Sequence, residues 1–211
     1  MTRPTLTIIV GLALVVGVPA MAVGQDPLGV RGFVSFGSTT LTATKSFKAV
    51  TGKDNQTGPG FGAEVVNLWR GLFVGVAFSQ IKLDGQRVFV NDGTVYQLGI
   101  PETITYRPID AAVGWRIRAG RVYPFFGAGA TMILYKETGS FAQSGEDVNE
   151  RANGFLVMGG VDVSVLRWLH VGGEVRYRGV KRVLGVGGVS EVYGEKDLGG
   201  FAVAARVAVG R

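Results

Sequence analysis

Ten ionisable residues of this chain lie in otherwise apolar stretches, each with an apolar or small residue on both sides: Arg31, Glu64, Asp110, Arg116, Asp162, His170, Glu174, Arg176, Arg178 and Arg206. Charges of both signs gathered on one side of a set of strands make a network of salt bridges and hydrogen bonds that fills an interior and fixes strand register. The same residues also suit the lining of a narrow selective path. His170, the single histidine, has Glu174 four residues on along the same strand face, the arrangement a general-base pair uses. One histidine and no cysteine argue against a transition-metal site, thiol chemistry or a disulfide framework, and no cofactor is expected.

A two-residue period positions these side chains, and it is clearest in Val122–Leu134, VYPFFGAGATMIL. The positions Val122, Pro124, Phe126, Ala128, Ala130, Met132 and Leu134 are apolar, and Gly127, Gly129 and Thr131 between them are small. A soluble sandwich turns charged groups to water on its second face. Small residues there suit the crowded inside of a narrow closed barrel instead. The unbroken apolar face suits lipid, which a tilted strand crosses in roughly 9 to 11 residues.

The same alternation predicts eight strands: Leu28–Thr42, Phe61–Leu68, Leu72–Asp84, Ile104–Ile117, Val122–Leu134, Gly154–Val165, Leu169–Val180 and Leu198–Val209. In the third, the phase changes after Ser79, where Ile81 and Leu83 take the other parity, which predicts a bulge or a strand rising above the membrane. Connections alternate between long and short. Thr44–Pro59, Gln86–Glu102, Gly139–Asn153 and Leu184–Lys196 read as long polar loops, and the joins at Trp69-Arg70-Gly71, Arg118–Arg121 and Arg167-Trp168 are tight turns. This predicts an all-β, eight-stranded antiparallel transmembrane β-barrel with short periplasmic turns and long extracellular loops. The ten ionisable residues share the parity of the small residues and so point inward. An Arg or Lys facing lipid at mid-membrane costs roughly 2 to 4 kcal/mol. Trp69, Trp168 and Tyr123 near the short turns, with Tyr106, Tyr135 and Tyr177 toward the upper strand ends, are expected to form interfacial aromatic girdles.

The first residues address export. Arg3, the apolar run Leu6–Val18 and Ala20-Met21-Ala22 read as a signal peptide over residues 1–22, leaving residues 23–211 as one barrel domain. The net charge of +6 is spread along the chain, with no basic face or aromatic ladder, so no nucleic acid is expected as a partner.

On this layout, and on the run Tyr123-Pro124-Phe125-Phe126-Gly127-Ala128-Gly129, the chain resembles the eight-stranded outer-membrane β-barrel family that includes the OmpA transmembrane domain, OmpX and the opacity-type surface proteins. It departs from them at Val209-Gly210-Arg211, where such barrels usually end in an aromatic residue. The resemblance implies a Gram-negative outer-membrane location, outer-membrane lipid and the barrel-assembly machinery as partners, and extracellular ligand contact through the loops. It implies a non-enzymatic structural or surface-interaction scaffold, with a narrow pore for ions or small solutes as the alternative. Some barrels of this kind are lipid A hydrolases, but those carry a serine two residues beyond the histidine, and here that position is Gly172. A soluble lipocalin-like carrier has the opposite polarity, apolar inside and polar outside.

Overall fold

The computed structural model describes residues 27–91, 94–139, 149–184 and 188–210. The expected signal peptide and the middle of the third long loop lie outside the described residues. Among those described, nine strands form one sheet: β1 (Gly29–Leu41), β2 (Asn55–Val66), β3 (Leu72–Ser79), β4 (Ile81–Asn91), β5 (Thr94–Arg116), β6 (Val122–Gly139), β7 (Asn149–Leu166), β8 (Leu169–Gly179) and β9 (Gly200–Gly210). Each pairs antiparallel with its neighbours, and β1 pairs with both β2 and β9. β3 and then β4 pair along successive parts of β5, so together they form one bent stave and the sheet closes as an eight-stave barrel. The change of parity after Ser79 is this bend, at Gln80, whose N–H donates to Pro59 O at 3.1 Å.

Alternation sorts the side chains. In β8, His170, Glu174, Arg176 and Arg178 are buried while Val171, Val175 and Tyr177 are exposed. Around the outside, Val34, Phe36, Phe61, Val76, Phe126, Phe155 and Val203 are all half or more exposed or close to it, an apolar surface that water would not tolerate and lipid does. The short turns hold the lower ends in register. Gly71 adopts φ +90°, and a Cβ there would lie 2.3 Å from the carbonyl oxygen of Arg116, so the β2–β3 turn needs glycine at this point.

Two of the long connections are more ordered than their composition predicts. The segment read as a loop from Thr44 contains helix α1 (Thr44–Thr51), and β2 already begins at Asn55. Gln86–Glu102, also read as a loop, is a β4–β5 hairpin paired from Asn91↔Thr94 down to Gln86↔Pro101. The runs Val88-Phe89-Val90 and Val95-Tyr96 favour strand, and a strand that projects into water pairs without an unbroken apolar face, because only the lipid-facing stretch must be apolar. The fourth loop holds a short helix, α2 (Gly188–Val192). β5, at 23 residues, is about twice the length a membrane crossing needs, so its upper half stands clear of lipid.

Helix α1 closes the long-loop end. Phe47 points into an apolar layer with Ile81, Leu83, Ile104, Ile133, Tyr135 and Leu198, and its ring meets that of Tyr135 edge-on at 6.3 Å. The residue before the helix, Ala43, offers no side-chain cap. Glu195 supplies one across the mouth: its carboxylate accepts from the N–H groups of Lys45 at 3.1 Å and Ser46 at 2.8 Å, and from Ser46 Oγ at 2.6 Å.

Candidate functional site

Beneath the apolar layer, four arginines and four carboxylates form one connected array. Arg116, at the end of β5, binds Asp162 of β7 through Nη1 and Glu64 of β2 through Nη2, the latter at 2.8 Å. Arg206 of β9 reaches Glu64 at 3.2 Å, Glu174 at 3.3 Å and Asp162 at 3.4 Å. Arg176 joins Glu174 and Asp110, each at 2.9 Å. Arg178 grips Asp110 as a fork, Nε at 3.0 Å and Nη2 at 2.7 Å, and Thr131 Oγ1 donates to the same carboxylate at 2.7 Å. Every member is buried, and the formal charges cancel, which is what lets a low-dielectric interior hold them.

The array stands on aromatic rings that sequence reasoning had not singled out. Arg206 lies 4.3 Å from the centroid of Phe33 and 5.1 Å from that of Phe125. Arg116 lies 4.8 Å from Phe125 and 5.7 Å from Phe73. Their parity carried the signal, since Phe33 alternates in phase with Arg31, and Phe73 with Gly75. The inward glycines make room for these rings. A Cβ on Gly62 would meet the Phe33 ring at 2.4 Å, and one on Gly160 would meet the Phe125 ring at 2.5 Å.

Arg31 and His170 are also buried inside but stand apart from the array. Arg31 lies 5.7 Å from the Tyr123 ring, and His170 meets that ring edge-on at 5.6 Å. The His170–Glu174 pair does not form. Glu174 is bound to Arg176 and Arg206, while neither ring nitrogen of His170 has a hydrogen-bond partner among the described residues.

Of the six expected girdle residues, Trp69, Trp168 and Tyr177 are exposed on the outside. Tyr106 and Tyr135 are instead buried in the apolar layer, and Tyr123 faces His170 and Arg31 inside. All three have the parity of Asp110 and Thr131, the inward one, and position along a strand does not override side-chain alternation.

Free space is concentrated at the two ends. Along the array, cavities of about 20 and 40 Å³ have room for one or a few waters. Above the apolar layer a cup of about 850 Å³ opens at the long-loop end, floored by Phe47, Ile104, Tyr135 and Ala152. Its walls mix Arg87, Arg151, Lys181 and Arg182 with Glu102, Glu137 and Glu150. Burial, reinforced by the nearby Glu137 and opposed by Arg87, holds the Glu102 carboxyl above its ordinary pKa. A second cavity of about 420 Å³ opens at the short-turn end.

No protein-family model and no curated protein matches the sequence. Solved structures do match in fold. Ail of Yersinia pestis, crystallised with the heparin analogue sucrose octasulfate, is 12% identical with a TM-score of 0.53, over 88% of this chain and 100% of that one. Neisserial surface protein A is 14% identical with a TM-score of 0.51, over 86% and 96%. OprG, an outer-membrane protein of Pseudomonas aeruginosa, is 10% identical with a TM-score of 0.53, over 87% and 95%. The closed antiparallel barrel, its apolar outside and these three likenesses together give the chain the fold of the eight-stranded outer-membrane β-barrels.

Proposed function

We propose that the chain is a non-enzymatic surface-interaction scaffold of a Gram-negative outer membrane, inserted by the barrel-assembly machinery and contacting an extracellular ligand through the cup at its long-loop end. One observation carries this reading: the apolar layer of Phe47, Ile104, Ile133 and Tyr135 lies between the cup of about 850 Å³ and the paired charges below. A solute entering the cup meets a floor. A conducting path through the barrel would need both the layer and the array to open, and breaking a buried ion pair costs about 3 to 5 kcal/mol. Against catalysis, Glu174 is committed to two arginines, and Gly172 stands where a hydrolase of this kind would carry serine.

The cup favours a ligand with an apolar body and charged groups of either sign, because its floor is apolar and its walls carry both signs. Arg151, Lys181 and Arg182 give the cup an anion-accepting side, and Ail was crystallised with a heparin analogue, so a sulfated saccharide probes that side first. Sucrose octasulfate is titrated into the refolded barrel and into a variant with Arg151→Ser and Arg182→Ser. Sidedness is read separately on intact cells: the chain has no cysteine, so Arg151→Cys reports accessibility to an impermeant maleimide. Labelling at 151 is the expected result. A residue 151 protected on intact cells and reached only after the outer membrane is breached would overturn the orientation.

A further inference from the structure

The cavity at the short-turn end is as one-sided in charge as the cup is mixed. Arg31, Arg121, Arg167 and His170 line it, together with Tyr123, and no carboxylate does among the described residues. Two of these side chains are buried with no hydrogen-bond partner at key atoms among the described residues. Arg31 is 6% exposed with Nε and Nη1 unpartnered, and His170 is 2% exposed with both ring nitrogens unpartnered. Arg116, Arg176 and Arg206 also leave Nε without a hydrogen bond, but each of them, like Arg178, is held by a carboxylate, whereas no ion pair holds Arg31 among the described residues.

We propose that this cavity is a binding site for a phosphate-bearing anion, entering from the short-turn end and held by Arg31 and His170. The chemistry fits in three respects. Arg31 offers a charge-assisted N–H from Nη1 and another from Nε, and the oxygens of a tetrahedral oxyanion accept such bonds. His170 donates from either nitrogen. Arg121 and Arg167, exposed on two separate turns, add positive potential at the opening, which favours a multiply charged anion over a carboxylate. The volume of about 420 Å³ lies in the range of small-molecule pockets, and exceeds what a single water needs by more than tenfold. In the proposed orientation this end faces the periplasm, where the phosphate belongs either to an inner-leaflet lipid headgroup or to a soluble solute.

Because His170 is the single histidine, selective ¹⁵N-histidine labelling of the untagged, refolded chain gives one imidazole signal that reports directly on the cavity. Inorganic phosphate and monomeric dihexanoyl phosphatidylglycerol are titrated separately, at constant pH and at an ionic strength held with chloride. The expected result is a saturable shift of the imidazole signal, with affinity weakened about tenfold or more by Arg31→Met, the loss of a charge-assisted donor. Arg121→Ser with Arg167→Ser, which alters exposed turn residues alone, should weaken it several-fold and covers the case in which Arg31→Met fails to give a heat-shifted folded band. Saturation by phosphate assigns the site to a soluble anion, and saturation by the lipid alone assigns it to a headgroup. A signal that follows neither titrant, or one whose shift is unchanged in the folded variants, overturns the proposal.

Discussion

The guanidinium of Arg206 lies 4.3 Å over the ring of Phe33 while three of its nitrogens face three carboxylates, Glu64, Asp162 and Glu174. A single side chain of β9 thus ties together β2, β7 and β8 across the barrel and rests on β1. Replacing Arg206 by Ala leaves those carboxylates short of a cation in a buried site and should destabilise the folded barrel by about 3 to 5 kcal/mol. Phe33→Leu keeps the charges and removes the ring, which should cost about 1 to 2 kcal/mol from the lost stacking. Urea unfolding in detergent micelles, followed by tryptophan fluorescence and the heat-shifted gel band, measures both. Equal and negligible effects of the two changes would show that the array does not hold the barrel.

The cap of α1 is supplied from a distance of 149 residues in sequence, by Glu195 to Ser46. Glu195→Ala should leave the membrane-embedded strands intact and loosen the helix by about 1 kcal/mol, the usual worth of a helix cap. Hydrogen exchange of the amides of residues 45–51 is then faster by about fivefold, with β8 and β9 unchanged. Faster exchange throughout the barrel would contradict a local role.

Glu102 gives the cup a pH dependence of defined sign. Its carboxyl is held above the ordinary carboxylate range by burial first and by Glu137 second, so the fold favours its protonated form. The corresponding stability is fully present below the unfolded-state pKa and is lost as pH rises through the raised one. The rim formed by the upper parts of β5 and β6 should therefore open more readily at neutral than at mildly acidic pH. Intrinsic-rate-corrected hydrogen exchange of residues 100–106 should show the trend, and Glu102→Gln should flatten it.

The barrel itself was legible because lipid outside and a narrow lumen inside impose strict alternation. Ile109, Ala111 and Val113 on one parity of β5 and Asp110 and Ala112 on the other read as a membrane strand without any knowledge of contacts. Alternation also placed Arg116 and Arg206 on one inner surface. What it cannot give is pairing: Glu174 belongs to Arg176 and Arg206 and not to His170, a choice made by strand stagger and by the rings of Phe33 and Phe125. Above the lipid the constraint lapses. There Gln86–Asn91 pairs with Thr94–Pro101 as a hairpin whose apolar residues, Val88, Phe89 and Val90 among them, run together and mark no single face, and α1 depends on a distant carboxylate that no local motif announces.

A lumen closed by side chains, with binding confined to its two ends, carries no ion current, and conductance across a planar bilayer measures this. The mature chain is refolded in detergent, verified by its heat-shifted band and inserted into a planar bilayer. Folded protein with a silent baseline is the expected result, because the apolar layer around Phe47 and Ile104 and the balanced charges below it occupy the lumen, with cavities of about 20 and 40 Å³ along the array. Stable, salt-dependent current steps from folded wild-type protein would contradict it and make the arginine and carboxylate array the lining of a pore.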